Sequence, residues 1–121
     1  MPFKSLKEVD KLSLERIFKA LVSLGLSQTD ARVYIHLATR GPAHARRIID
    51  DLSVTKHQVY RSLNRLQDKS IIIVNDKHPK EFSALPFETV LDLLIDLKQE
   101  QAQDIKKRRK ELLSSWRANG K

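Results

Sequence analysis

No cysteine occurs among the 121 residues, so disulfides and thiolate metal sites are excluded and a reducing compartment is permitted. Only 3 Gly and 4 Pro punctuate the chain, which predicts a mainly helical protein with short connections. Aromatic residues make up 6%, so a core must be built chiefly from Leu, Ile, Val and Ala. No apolar run approaches the ~20 residues of a membrane span. The opening MPFKSLKEVDK lacks the apolar centre of a signal peptide. These absences predict a soluble, cytoplasmic chain with no membrane partner. Its four histidines, His36, His44, His57 and His78, lie on separate segments without metal-ligand spacing, and no Gly-rich phosphate loop is present. Asp50 and Asp51 are adjacent, so on a helix they point about 100° apart and do not converge as an acid-base pair. No metal, no cofactor and no catalysis are expected.

Positive charge, by contrast, is plentiful. Lys and Arg total 23 against 15 Asp and Glu, giving a net charge of +8 and a pI near 9.9, a balance suited to a polyanionic partner. The stretch from Thr55 to Lys69 shows how such a partner could be met. Val59, Leu63 and Leu66 recur at helical spacing as one narrow apolar stripe, while His57, Arg61 and Asn64 project from the other side with Gln58 and Arg65 flanking them. Thr55 followed by Gln58 is a capping-box pattern that fixes the helix start. Its amide-rich end beside Lys56 favours phosphate. Arg pairs bidentately with guanine, and Asn or Gln with adenine, from a helix lying in a major groove.

The segments before this helix are also helical. Ser5 with Glu8 opens a short first helix, and Ser13 restarts it with Ile17, Leu21 and Leu24 as the buried stripe until Gly25. Ser27 with Asp30 caps the next, whose Ala31, Tyr34, Leu37 and Ala38 line one face before Gly41-Pro42. His36 lies beside that stripe in a structural position. A third helix in AHARRIIDDL buries Ala45, Ile48, Ile49 and Leu52, and its start presents His44, Arg46 and Arg47. Only Ser53 and Val54 then separate Leu52 from Thr55, too few for anything but a tight turn, and two helices so joined form a helix-turn-helix. Val54 is the apolar plug of that turn. Ser53 stands where Gly is favoured, and a positive φ there costs about 1 kcal/mol.

After Lys69 the period switches to two. Ile71 to Val74 and EFSAL read as a two-stranded hairpin whose tip carries Lys77, His78 and Lys80, a basic wing able to straddle a phosphate backbone. Pro86, at a first helical position, and Glu88 begin a last helix that runs unbroken to about Arg117. Val90, Leu94, Leu97, Ile105, Leu112 and Trp116 form a ladder completed by Gln101 and Arg108, with Leu94, Ile105 and Trp116 eleven residues apart. An eleven-residue repeat keeps a seam nearly straight. So long a seam cannot be covered by so small a domain, and a second copy of the same helix is the economical partner. The run KKRRK at Lys106 to Lys110 wraps around the helix and is read as solvated, and the closing RANGK as frayed.

From Leu24 to about Ile95 the chain resembles the N-terminal DNA-binding domain of the TrmB family of archaeal transcriptional regulators. The resemblance rests on LGLSQTDARVYIHLATRGPAHARRI, then VYRSLNRLQDKSII, then HPKEFSALPFETVLDLL. It implies a mainly α fold with a small β-hairpin: a winged helix-turn-helix over residues 1–85 and a long dimerisation helix over 86–121. Thr55 to Lys69 becomes the recognition helix, Asn75 to Lys80 the wing, and the helix from Phe87 the dimerising one. His44 replaces the small hydroxyl residue usual at the start of the second DNA-facing helix, and Ser70 replaces a common Gly. Many relatives carry a sugar-binding domain after the long helix; the sequence here stops at Lys121, so sugar sensing is not carried over.

The function expected is a sequence-specific, homodimeric regulator of double-stranded DNA. His57, Gln58, Arg61 and Asn64 would read bases, while Lys56, Arg46, Arg65, Lys77 and Lys80 hold phosphates, with His44 and His78 alongside. Val90, Leu94, Leu97, Gln101, Ile105, Leu112 and Trp116 would form the dimer seam. The competing readings are a winged-helix module that binds protein and a sequence-independent DNA-binding protein. Nothing in the sequence specifies an effector.

Overall fold

The computed structural model describes residues 11–120. Its elements in order are α1 (Lys11–Ser23), α2 (Gln28–Arg40), β1 (Ala43–His44), α3 (Ala45–Leu52), α4 (Lys56–Asp68), β2 (Ile72–Asn75), β3 (Glu81–Ala84), α5 (Phe87–Lys107) and α6 (Arg109–Gly120). The expected cap at Ser5 and Glu8 lies outside the described residues. Ser13 falls inside α1 and starts nothing.

Helix ends follow local chemistry. Gly25 takes φ 112, which lets the Leu26 amide reach back to the Leu21 carbonyl at 3.1 Å and closes α1. Ser27 then accepts the Asp30 amide at 3.0 Å and opens α2. Ser70, at φ 63, does at the end of α4 what glycine does after α1, with the Ile71 amide bonded to the Leu66 carbonyl at 2.9 Å.

The core is one cluster gathered around α2. Ala31, Val33, Tyr34 and Leu37 of α2 pack with Leu21, Ile48, Val59, Leu63, Leu66, Phe82, Val90 and Leu94. Ala38, expected on the inner face, is exposed. α2 is flanked by α1, α3, α4 and β3, so its buried arc widens toward Val33 and His36 and leaves Ala38 at the rim.

The hairpin pairs Ile72 with Ala84 and Asn75 with Glu81. It is joined by β1, making a three-stranded sheet in the order β1-β3-β2. The expected two-stranded hairpin is therefore one strand short. Gly41 at φ 90 turns the chain into an extended segment, and Ala43 and His44 take the free edge of β3 opposite Phe82 and Glu81. A two-residue strand has no periodicity to betray it.

α5 is fastened to this core. The Tyr34 hydroxyl donates to the Leu85 carbonyl at 2.8 Å, and the Leu85 amide donates to the Ile71 carbonyl at 3.0 Å. Burial pushes the Tyr34 phenol up to about 12, which keeps it a donor. Pro86 is the residue before the first helical turn, one position earlier than expected. The expected unbroken helix is interrupted at Arg108 (φ −95, ψ 11), whose amide is shared between the Asp104 and Ile105 carbonyls. Helical bonding resumes from Leu112 to the Arg108 carbonyl at 2.9 Å and continues to Gly120, past the expected fraying point. Cations at 106 and 110, 106 and 109, and 107 and 110 repel at helical spacing, and the ladder yields where they crowd. Among the described residues no helix is long and apolar enough to cross a membrane.

Candidate nucleic-acid interface

α4 is presented as its sequence demands. Val59, Leu63 and Leu66 are buried, which fixes the rotation of the helix and turns His57, Arg61 and Asn64 outward, all exposed. Tyr60 joins them at 44% exposure. The spacing 57, 60, 61 and 64 was the signal that could have placed it on this face; an aromatic on an amphipathic helix reads more readily as core. Lys56 stands exposed at the first turn.

Both arms of the capping box form: the Gln58 amide donates to Thr55 Oγ1 at 3.1 Å, and Thr55 N–H donates to Gln58 Oε1 at 3.1 Å. This corrects the expectation for Gln58. Its side-chain oxygen is turned back onto the helix, so it cannot offer the donor and acceptor together that adenine requires.

Arg65 is a second correction. Instead of facing out, it forks onto Asp30 of α2, with Nε 2.9 Å from Oδ2 and Nη2 2.8 Å from Oδ1. Burial alone would raise the Asp30 carboxyl; hydrogen bonds from Arg65, with Ser62 and Ser27, outweigh it and hold the group below its ordinary value. The same bonds raise Arg65. One residue past Asn64 the helix has rotated toward α2, where the only buried carboxylate among the described residues waits, and the pair ties α4 to the core.

The helix-turn-helix geometry is held from behind. Ser53 adopts φ 54 and ψ 40, the left-handed conformation, and Val54 packs against the core. Arg32 of α2 donates to the Leu52 carbonyl at 3.1 Å. His36 Nε2 lies 2.8 Å from Asp51 Oδ2 and Arg47 Nε 3.4 Å from the same oxygen. The His36 bond, then the Arg47 bond, hold the Asp51 carboxyl below its usual range.

The wing spans residues 76–80, all exposed, with Lys77, His78 and Lys80 on it. Its base is tied to the start of α3, since His44 Nδ1 donates to the Lys80 carbonyl at 2.9 Å. His44 precedes α3 and makes no side-chain cap to it, so its role here is to fix the wing. Arg46, Tyr60, Lys80 and Phe82 line one cleft of about 390 Å³. The structure thus brings Arg46, Lys80 and the outer face of α4 to one side of the molecule.

The expected seam divides in two. Val90 and Leu94 are 0% and 1% exposed in their own chain's core, so they cannot meet a second copy; they correct the seam's start. Leu97 is half-buried against the same core. Beyond it Gln101 is exposed, and Ile105, Leu112 and Trp116 are 55%, 47% and 70% exposed. Among the described residues no group of three or more His, Asp or Glu is placed to hold a metal.

The family model described as sugar-specific transcriptional regulator TrmB matches residues 21–88. No curated protein matches the chain in sequence. In fold it is similar to TrmBL2, an archaeal chromatin protein whose structure is described as showing a novel mode of DNA binding, with a TM-score of 0.69 and 22% identity over 88% of this chain. The chain spans 43% of the length of TrmBL2. It is also similar to ST1889 from Sulfolobus tokodaii, with a TM-score of 0.63 and 16% identity, covering 76% of this chain and 97% of that one. The transcriptional regulator Tm0710 from Thermotoga maritima superposes with a TM-score of 0.56 and 16% identity, over 89% of both chains. A helix-turn-helix closed by a wing, matched by the family model over more than half its length, makes this chain a winged-helix protein that belongs to the TrmB family.

Proposed function

We propose that this chain is a sequence-specific double-stranded DNA-binding regulator that acts as a homodimer. The observation that carries the reading is the outer arc of α4: His57, Tyr60, Arg61 and Asn64 share one exposed face whose opposite side is locked into the core. Arg61 and Asn64 can read base edges from a major groove, and Tyr60 offers a flat apolar contact beside them. Lys56, Arg46, Lys77 and Lys80 supply the cations for the flanking phosphates, and His57 and His78 border them. In the dimer the two α4 helices would sit in successive major grooves, with half-site centres roughly 34 Å apart. Pairing runs through Gln101, Ile105, Leu112 and Trp116, the apolar ladder that the chain's own core leaves uncovered.

The breadth of the positive charge favours a second reading, a DNA coater without sequence preference. Lys106 to Lys110 extend the cationic surface well beyond the helix-turn-helix. Selection of binding sites from random duplexes at two salt concentrations separates the two. A specific reader enriches a two-fold symmetric site that keeps its advantage as salt rises; a coater enriches nothing and loses affinity uniformly. Failure to bind any duplex at low salt would refute both.

A further inference from the structure

The helical stretch formed by α5 and α6 carries two patterns that any pairing with a second copy must satisfy. The first is charge. From Glu88 to Asp104 the helix holds five carboxylates, Glu88, Asp92, Asp96, Glu100 and Asp104, against the single lysine Lys98. From Lys106 to Arg117 it holds six cations, Lys106, Lys107, Arg108, Arg109, Lys110 and Arg117, against Glu111 alone. The sign changes at Ile105, and every residue from 98 to 110 is exposed. The second pattern is the ladder itself. Counted from Ile105, Gln101 and Arg108 stand four and three residues away, Leu97 and Leu112 eight and seven, and Leu94 and Trp116 eleven each. The ladder therefore has the same spacing in both directions to within one residue.

Resting on the homodimeric reading above, we propose that two copies pair antiparallel about Ile105, so that the acidic half of each helix lies along the basic half of the other. Ile105 then meets its own counterpart at the two-fold axis, the Gln101 amide comes level with the partner's Arg108, and Leu97 with the partner's Leu112. Trp116 reaches the base of the partner's α5, where Leu93 and Leu97 are half-buried. Ile95, 37% exposed beside the seam, comes within about 3 Å of the partner's Leu113 along the axis. Parallel pairing of the same face reverses each of these gains. Arg108 would meet Arg108 in the seam, and the six cations of each copy would share one stretch of about three turns. Packed helices lie about 8–10 Å apart, roughly one Debye length at physiological salt, so that repulsion would be only partly screened. Antiparallel pairing also sets the two cores at opposite ends. Leu94 is the last rung buried in its own core, and from it to the partner's Leu94 is twice eleven residues, about 33 Å along the axis. That is close to the roughly 34 Å between half-site centres one duplex turn apart.

Because the chain has no cysteine, introduced thiols report proximity without background. Full chains carrying Gln101→Cys, Ile105→Cys, Arg108→Cys or Leu112→Cys, all at exposed positions, are equilibrated in a glutathione redox buffer, singly and mixed in pairs, and linked dimers are quantified on non-reducing gels. Sedimentation equilibrium under reducing conditions gives the mass of each chain and of the unsubstituted one. Ile105→Cys is expected to link to itself. Gln101→Cys should link to Arg108→Cys about tenfold more than either links to itself, since only neighbours across the seam reach a high effective concentration. Leu112→Cys alone should stay unlinked. Dimers in which Gln101→Cys and Leu112→Cys each link to themselves would show parallel pairing and overturn the proposal while the homodimer stands. Dimers without a link at any of the four positions would overturn it as well, placing the seam elsewhere. A monomeric mass for the unsubstituted chain would refute the homodimer itself and the pairing with it.

Discussion

Replacing Arg65 with alanine separates two roles that a basic residue on a recognition helix could have. A phosphate contact would leave the fold intact and reduce DNA affinity. A brace to the core would reduce stability and leave the salt dependence of DNA binding alone. The structure favours the brace. Two charge-assisted bonds of 2.9 and 2.8 Å join Arg65 to Asp30, and the side chains are 42% and 3% exposed respectively. Removing one partner of a fully buried pair costs about 3–5 kcal/mol. Arg65 is open on one side and water can follow it inward, so the expected loss is nearer 2 kcal/mol, or about 10 °C in Tm for a domain of this size. Urea denaturation of Arg65→Ala measures the first number. Asp30→Asn added to Arg65→Ala should recover about 1 kcal/mol, because an amide left behind is less costly to bury than a charge. Filter binding to duplex DNA between low and moderate salt measures the other role, since loss of a phosphate contact flattens the log-log slope by about one. If Arg65→Ala flattens that slope while stability stays within about 0.5 kcal/mol of wild type, Arg65 faces DNA and the brace is wrong.

Three further outcomes follow from the same geometry. The Asp30 carboxyl is held below its ordinary value in the folded state, so its contribution to stability is complete above the unfolded value near 3.9 and is lost as pH falls through the folded one; denaturation midpoints should fall below about pH 4 less steeply in Asp30→Asn than in wild type. Arg61→Ala should cost about 1–3 kcal/mol on a selected site and relax one base position, whereas Lys80→Ala should weaken all sequences alike and lower the salt slope by about one; equal losses on selected and random duplex from both would refute the division of labour. Ile105→Glu places a charge on the exposed ladder and should shift the chain from dimer to monomer in sedimentation equilibrium without altering its helicity; an unchanged mass would show that pairing, if any, lies elsewhere.

The helical segments were legible because their signals are local. Thr55 with Gln58, Ser27 with Asp30, and the stripe Val59, Leu63 and Leu66 are all complete within a few turns, and α2 and α4 start where their caps require. What escaped depends on partners distant in sequence. Arg65 and Asn64 are adjacent and equally polar; only the placement of Asp30, 35 residues earlier, sends one inward and leaves the other out. β1 is too short for any period and exists because β3 offers a free edge. Val90 and Leu94 belong to the same periodic ladder as Ile105 and Trp116, and periodicity shows that a face is covered without showing by what. The first two rungs meet their own core, and the later ones extend past it.

That division of the ladder bears on how a dimer would measure its operator. A pairing helix joined to its domain by a flexible linker lets two recognition helices adopt a range of separations, and half-site spacing is then poorly enforced. Here the Tyr34 hydroxyl fixes the Leu85 carbonyl just ahead of the helix, Pro86 restricts the backbone at its start, and Val90 and Leu94 seat the first two turns in the same core that orients α4. α4 is in turn braced to α2 by Arg65 and Asp30. α4, the core and the base of α5 are therefore one packed unit, and such units resist continuous deformation. In the proposed dimer, the separation of the two α4 helices follows from how the exposed rungs pair, adjusted only where helical bonding yields at Arg108. Inserting one residue between Leu97 and Gln101 would rotate the outer rungs by about 100° relative to the inner ones and should abolish binding to a selected palindrome while leaving each domain folded.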